Sequence, residues 1–144
     1  MGSTVQAKSC KVTIDSGAEE SVWPVEWESP GSLEEPERKM RFMAANGMEI
    51  GHYGKKVPTF STKNSNTRKA MNFEVTDVKK PLASVRRIVE KGNEVRFGPG
   101  PQGNYIRNLA TGEKIPLKLE KGGYVMEIDF VPEGNAPDFS RQAF

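Results

Sequence analysis

The chain is short of the groups on which several kinds of chemistry depend. It has one cysteine, Cys10, and one histidine, His52, in 144 residues. A single cysteine closes no intrachain disulfide, which points to a reducing compartment and away from a secreted scaffold. One histidine and one distant cysteine do not build a zinc site. Cys10 has no histidine near it for thiol catalysis, so it reads as a buried or interface residue. Charge of one sign is also lacking: 21 basic and 19 acidic residues leave a net +2, too little field to recruit nucleic acid or an anionic membrane. The pairs Lys55-Lys56, Lys79-Lys80 and Arg86-Arg87 read as solvated surface. No apolar run approaches the roughly 18 residues of a membrane span, and no signal peptide opens the chain. No membrane and no nucleic-acid partner is therefore expected.

Turn residues, in contrast, are plentiful. Fourteen glycines and ten prolines interrupt the chain every few residues and predict many short strands rather than long helices. The length suits one domain with a genuine core. The expected class is all-β, mainly strand with one short helix. Residues 1 to 10 read as an N-terminal extension or tag remnant, 11 to 131 as the domain, and 132 to 144 as a flexible tail.

Lys11 to Ile14 alternates as a strand. Val22, Trp23, Val25 and Trp27 form an apolar stretch broken by Pro24, expected to pack in a core or interface. Pro30 to Glu37 reads as a polar loop. Arg41 to Ala45 enters the Asn46-Gly47 turn, a strong hairpin signal. Lys55 to Phe60 is expected as a strand, Ser61 to Lys69 as a mobile loop, and Met71 to Val75 as a strand with Met71, Phe73 and Val75 on one face. Pro81 to Gly92 is predicted as one helix, with a stripe of Leu82, Val85, Ile88 and Val89 and Gly92 as its stop. Val95-Arg96-Phe97, Asn104 to Asn108, the alternating Ile115, Leu117 and Leu119, and Tyr124 to Val131 complete the strands. Gly98-Pro99-Gly100-Pro101-Gln102-Gly103 spells a dinucleotide fingerprint, but the prolines and the lack of a following helix defeat it.

Chemistry is concentrated in Asp15-Ser16-Gly17-Ala18-Glu19-Glu20-Ser21-Val22, a carboxylate in a small-residue turn directly after a strand. Glycine allows a tight turn beside the acid, the serine hydroxyl can brace the loop, and small side chains leave room for water. The octet resembles the active-site stretch of retropepsins, the retroviral-type aspartic proteases: an acid, Thr or Ser, Gly, Ala, usually two more acids, Thr or Ser, and an aliphatic residue. The later order is similar to the protease of copia-type retrotransposon Gag-Pol polyproteins. It runs Val75-Thr76-Asp77-Val78, then Pro81-Leu82-Ala83-Ser84-Val85, a short helix, Gly92, Val95-Arg96-Phe97, a Thr-Gly turn and a strand ending in an acid. The likeness covers roughly residues 11 to 131. Retroviral enzymes usually place a glycine after the aliphatic pair before the helix, whereas Ala83-Ser84 follows Leu82 here.

The resemblance implies a retropepsin-like closed β-barrel of the acid protease fold, one lobe per chain, completed as a homodimer. With one motif per chain, each subunit supplies its own Asp15, and an isologous interface sets the two side by side. It implies an aspartic endopeptidase that hydrolyses peptide bonds in a retrotransposon or retroviral-like polyprotein, including its own boundaries, with no metal or organic cofactor. The implied setting is the cytoplasm or a virus-like particle. Asp15 is the implied catalytic residue and Ser16, Gly17 and Ala18 the active-site loop. Glu19, Gly51, His52, Tyr53, Gly54, Leu82 and Ala83 are the implied substrate-binding candidates. The flap that covers bound peptide would be a glycine-punctuated hairpin, with its tip at Asn46-Gly47 or at Gly51 to Gly54. Asp77, Asp129 and Asp138 lack the Ser-Gly-Ala context and are not second catalytic acids. Rival readings are a catalytically silent dimerisation or peptide-binding module of the same fold, and a nucleic-acid-binding β domain, which the near-neutral charge disfavours.

Overall fold

The computed structural model describes residues 9–27, 32–35, 40–44, 46–62, 65, 67–131 and 141–143. These form short strands and one short helix. The first strands are β1 (Ser9–Asp15), β2 (Val22–Pro24), β3 (Phe42–Met43), β4 (Glu49–Ile50), β5 (His52–Lys56), β6 (Thr59–Thr62), β7 (Arg68–Ala70), β8 (Phe73–Thr76) and β9 (Leu82–Ser84). Helix α1 (Val85–Glu90) follows, then β10 (Asn93–Arg96), β11 (Tyr105–Asn108), β12 (Lys114–Pro116), β13 (Lys118–Glu120), β14 (Gly123–Phe130) and β15 (Arg141–Ala143). The mainly-β class expected from the sequence holds.

Ten strands share one sheet in the order β15-β7-β6-β14-β1-β9-β2-β8-β5, with β13 joined to β14. This sheet curls into a half-barrel, its order among the described residues running from β15 to β5. The strands β10-β11-β12 form a second sheet and β3-β4 a third. β1 is antiparallel to β14, with Val12 opposite Met126 and Ile14 opposite Tyr124, and parallel to β9, with Asp15 opposite Ser84. β2 lies between β9 and β8, antiparallel to the first and parallel to the second.

The core collects the inward positions of these strands. Val12 and Ile14 pack with Trp23, Phe60, Phe73, Met126 and Ile128. The Trp23 ring meets Phe73 edge-on at 5.1 Å and Phe130 at 5.8 Å. Met71, Phe73 and Val75 are all buried, as their alternation predicts. Cys10 belongs to β1 and is half-buried, and burial pushes its thiol up to about 12, so it stays protonated at neutral pH. No helix among the described residues is long and apolar enough to cross a membrane.

Several expectations change where pairing overrides local pattern. The helix predicted over Pro81 to Gly92 starts only at Val85, because Leu82–Ser84 is drawn into the sheet between β1 and β2. Leu82 is therefore a strand residue, and Val89 is exposed while Ile88 is buried. The strand expected over Lys55 to Phe60 breaks at Val57-Pro58 into β5 and β6, proline having no N–H for the ladder. Val25 and Trp27 lie at the surface, unlike Val22 and Trp23, since β2 ends at Pro24. Ile115 and Leu117 are buried but Leu119 is exposed, because the chain leaves the second sheet at Leu117 and joins β14 through β13. Of the tail, Arg141–Ala143 pairs in parallel with β7, whereas Asp138 and half of the Pro30 to Glu37 loop lie outside the described residues.

The segment expected as a mobile loop from Ser61 to Lys69 includes the end of β6 and the start of β7. Lys69 is 1% exposed, and its Nζ lies 2.8 Å from Glu113 Oε1. Ser65 Oγ donates to the other oxygen of the same carboxylate. Burial pushes the Glu113 carboxyl up, but the hydrogen bonds from Lys69 and Ser65 and the lysine charge outweigh it and hold the group below its ordinary value. This pair ties the large sheet to the β11–β12 turn. Glu113→Gln strands a buried ammonium and is expected to cost about 2 kcal/mol at neutral pH, allowing for the partial exposure of the carboxylate, while Lys69→Met costs less than about 1 kcal/mol. A depressed folded-state pKa contributes stability above the unfolded value of 4.5, lost as pH falls through the folded value. The gap between parent and Glu113→Gln in urea unfolding should thus close on acidification, and equal losses from both variants would remove the pair from the account.

Candidate active site

Asp15 is the last residue of β1, half-buried, at the point where the strand leaves the sheet. Its Oδ1 accepts the Gly17 N–H at 2.8 Å, an Asx turn that orients the carboxylate. Oδ2 has no hydrogen-bond donor among the described residues. Ser16, Gly17 and Glu19 are exposed and Ala18 half-buried. Gly17 does not adopt the left-handed conformation, and a Cβ there would meet only Asp15 Oδ1, at 3.4 Å. The turn itself therefore does not demand glycine. A methyl at this position would stand in ordinary contact with the carboxylate.

Ser84 braces the loop. Its N–H donates to Ser21 Oγ at 2.9 Å and its hydroxyl to the Ala18 carbonyl at 2.7 Å. The same hydroxyl accepts the Arg87 N–H at 3.3 Å as the N-cap of α1. Nearer the solvent the Arg87 guanidinium grips Glu20 with two N–H groups, Nε to Oε1 at 3.0 Å and Nη2 to Oε2, while Nη1 reaches Glu90 at 2.9 Å. Hydrogen bonding to Glu20 and then Glu90 pushes the guanidinium pKa up, and the Arg87 bond lowers that of Glu90.

Of the residues singled out in the sequence, Leu82 and Ala83 come beside the Asp15 strand, opposite Thr13 and Ile14. Ala83 is fully buried and Leu82 half-buried. Gly51 to Gly54 lies elsewhere, on the edge strand β5 and its approach. The Gly51 N–H and the Tyr53 hydroxyl both donate to Asp77, each at 2.8 Å; that hydrogen bond raises the tyrosine pKa. His52 is pinned, its Nδ1 accepting the Met40 N–H at 3.3 Å and its Nε2 2.8 Å from Glu74 Oε1, an arrangement that sets the ring proton on Nε2. Gly54 sits at φ +145, and a Cβ would stand 2.3 Å from the Glu34 carbonyl oxygen. Only glycine lets the Glu34 segment pair this closely with β5 there.

No protein-family profile, curated protein or solved structure matches this chain. Its chemistry is therefore argued from its own geometry.

Of the two glycine turns, Asn46-Gly47 is the tip of a true hairpin. Phe42 pairs with Ile50 and Met43 with Glu49, the Met48 N–H bonds Asn46 Oδ1 at 3.0 Å, and Met43 and Met48 are exposed. Gly51 to Gly54 forms the foot of that hairpin, clamped by Asp77. Among the described residues no hydrogen bond or ion pair joins this hairpin to the Asp15 loop, and no group of three His, Cys, Asp or Glu side chains could hold a metal. Reading the sequence missed Ser84, Arg87 and Asp77 as supports of the site. A serine just ahead of a helical stretch was a signal for Ser84, as a cap, whereas nothing local links Arg87 to Glu20 or Asp77 to Gly51. Ser84→Ala is expected to lower stability by about 1–2 kcal/mol and to speed amide exchange at Arg87. Unchanged exchange there would show that the cap does not hold in solution.

Proposed function

We propose that the chain is an aspartic endopeptidase of the retropepsin kind, working as a homodimer in which each subunit supplies one Asp15. The observation that carries this reading is the carboxylate itself. It stands at a strand end, half-buried, with one oxygen held by Gly17 and the other open, on a loop braced from behind by Ser84 and by the Glu20–Arg87 pair. An aspartic dyad needs such a group, rigid and available on one side. The pairing of β1 with β9, and of β9 with β2, also supports the acid protease architecture, as does the hairpin at Asn46-Gly47 with exposed methionines suited to lie over a bound peptide.

In the dimer the two carboxyls share one proton, since like charges about 3 Å apart do not both ionise. The ionised carboxylate takes a proton from a water molecule as the water oxygen attacks the scissile carbonyl carbon. The protonated one donates to the carbonyl oxygen, giving a gem-diol. The first carboxyl, now protonated, then donates to the amide nitrogen while the second takes back a proton from a gem-diol hydroxyl, and the C–N bond breaks to leave a carboxylic acid and an amine. Substrate binds as an extended strand, through main-chain hydrogen bonds with alternate side chains in apolar pockets. The substrate class is a retrotransposon-like polyprotein, cut between bulky apolar residues and at the protease's own boundaries.

Asp15→Asn should reduce cleavage of a mixed peptide library by about a thousandfold or more, with an unchanged circular dichroism spectrum, products being read by mass spectrometry at acidic and neutral pH. Equal turnover by the two proteins would end the proposal. No cleavage by either, with a dimer seen in sedimentation, would favour a catalytically silent binding module.

A further inference from the structure

We propose that the cleft between the β10–β11 loop and the β13–β14 hairpin is a docking site for an uncharged, proline-rich peptide segment in the polyproline II conformation. The cleft has a volume of about 890 Å³ and is walled by Phe97, Pro99, Pro101, Leu117, Leu119 and Tyr124. This proposal does not depend on peptidase activity.

Three features select that occupant. The first is an aromatic floor: Phe97 and Tyr124 lie with ring centroids 4.5 Å apart and planes tilted by 37°, beside Leu119, which is 61% exposed. Grooves lined by aromatic side chains accept the prolines of a polyproline II helix, whose stiff backbone loses little entropy on binding. The Tyr124 hydroxyl has no hydrogen-bond partner among the described residues, which leaves it available to donate to a peptide carbonyl. Polyproline II makes no internal hydrogen bonds, so its carbonyls need such donors.

The second feature is charge. The two charged residues that line the cleft are each ion-paired within the chain, Lys118 with Glu127 at 2.6 Å and Glu120 with Lys11 at 2.9 Å. The cleft therefore presents apolar surface between paired charges, which suits a neutral segment.

The third is that the cleft is already formed. Asn104, 6% exposed, accepts the Gly98 N–H on Oδ1 at 2.7 Å and donates from Nδ2 to the Gly100 carbonyl at 3.2 Å. Its own carbonyl accepts the Leu117 N–H at 2.9 Å. One buried residue thus holds the glycine-proline loop through its side chain and ties it to the far wall through its carbonyl, and little ordering remains to oppose binding.

The test is a titration of the isotopically labelled full chain with a polyproline decapeptide, followed by amide chemical shifts. A binding curve with shifts centred on Gly98, Gly103 and Tyr124 is expected, at micromolar to about millimolar affinity. Leu119→Asp, at an exposed position that does not threaten the fold, should weaken it about tenfold or more, and Tyr124→Phe, which keeps the ring, by a few fold. Several outcomes would overturn the proposal. These are no shifts at saturating peptide, shifts centred instead on the Asp15 loop and the β3–β4 hairpin, equal binding of an apolar helical peptide, or unchanged affinity in Leu119→Asp. A concentration-dependent dimer dispersed by Leu119→Asp would assign the cleft to a second copy of the chain and also overturn it.

Discussion

Ser84 is the point on which the described site depends. From one fully buried residue come a backbone donor to Ser21, a hydroxyl donor to Ala18 and an acceptor for the first turn of α1. Strand β9, the loop after Asp15 and the helix meet there, and the register that sets Asp15 opposite Ser84 passes this rigidity to the carboxylate. A parallel pair cannot be closed by a tight turn. The chain must cross over between β1 and β9, so the site joins segments far apart in sequence.

The same logic separates firm parts from freer ones. The β3–β4 hairpin shares no sheet with its neighbours; its foot is held because the Asp77 carboxylate takes hydrogen bonds from Gly51 and Tyr53, and because His52 is buried between Met40 and Glu74. The hairpin is thus anchored at its foot, with its tip exposed. The second sheet is attached differently, through the Lys69–Glu113 pair and through Asn93, which donates to the Ile88 carbonyl at the end of α1 at 2.9 Å. These polar contacts add to apolar packing, since Ile106 and Ile115 of the second sheet belong to the main core cluster and Val95 packs against it. Losing one polar partner would leave an unsatisfied group, not merely a smaller contact.

Much of the strand content was legible because it is local. The alternation of Lys11 to Ile14, of Met71 to Val75 and of Tyr124 to Val131, and the Asn46-Gly47 turn, are properties of a few adjacent residues, and strands and a hairpin stand there. The Asp15 loop was equally plain as a turn after a strand. Leu82–Ser84 was misread because its apolar spacing suits a helix, and only the vacancy between β1 and β2 draws it into the sheet. Lys69 was read as loop because its position gives no hint that Glu113, far along the chain, waits to neutralise it. Leu119 was expected to continue the alternation of Ile115 and Leu117, but a strand that changes sheets restarts its facing.

By itself, then, the sequence determined the mainly-β class, the turn positions and the presence of one carboxylate in a loop of small residues, since these follow from side-chain volume, backbone freedom and neighbour-to-neighbour periodicity. Only the tertiary structure decided which strand lies beside Asp15, that Ser84 and the Glu20–Arg87 pair brace its loop, and that Gly51 to Gly54 is the foot of the hairpin and Asn46-Gly47 its tip. The physical reason is that hydrogen-bond partners across a sheet are chosen by register and burial summed over many distant residues, and no short window of sequence carries that sum.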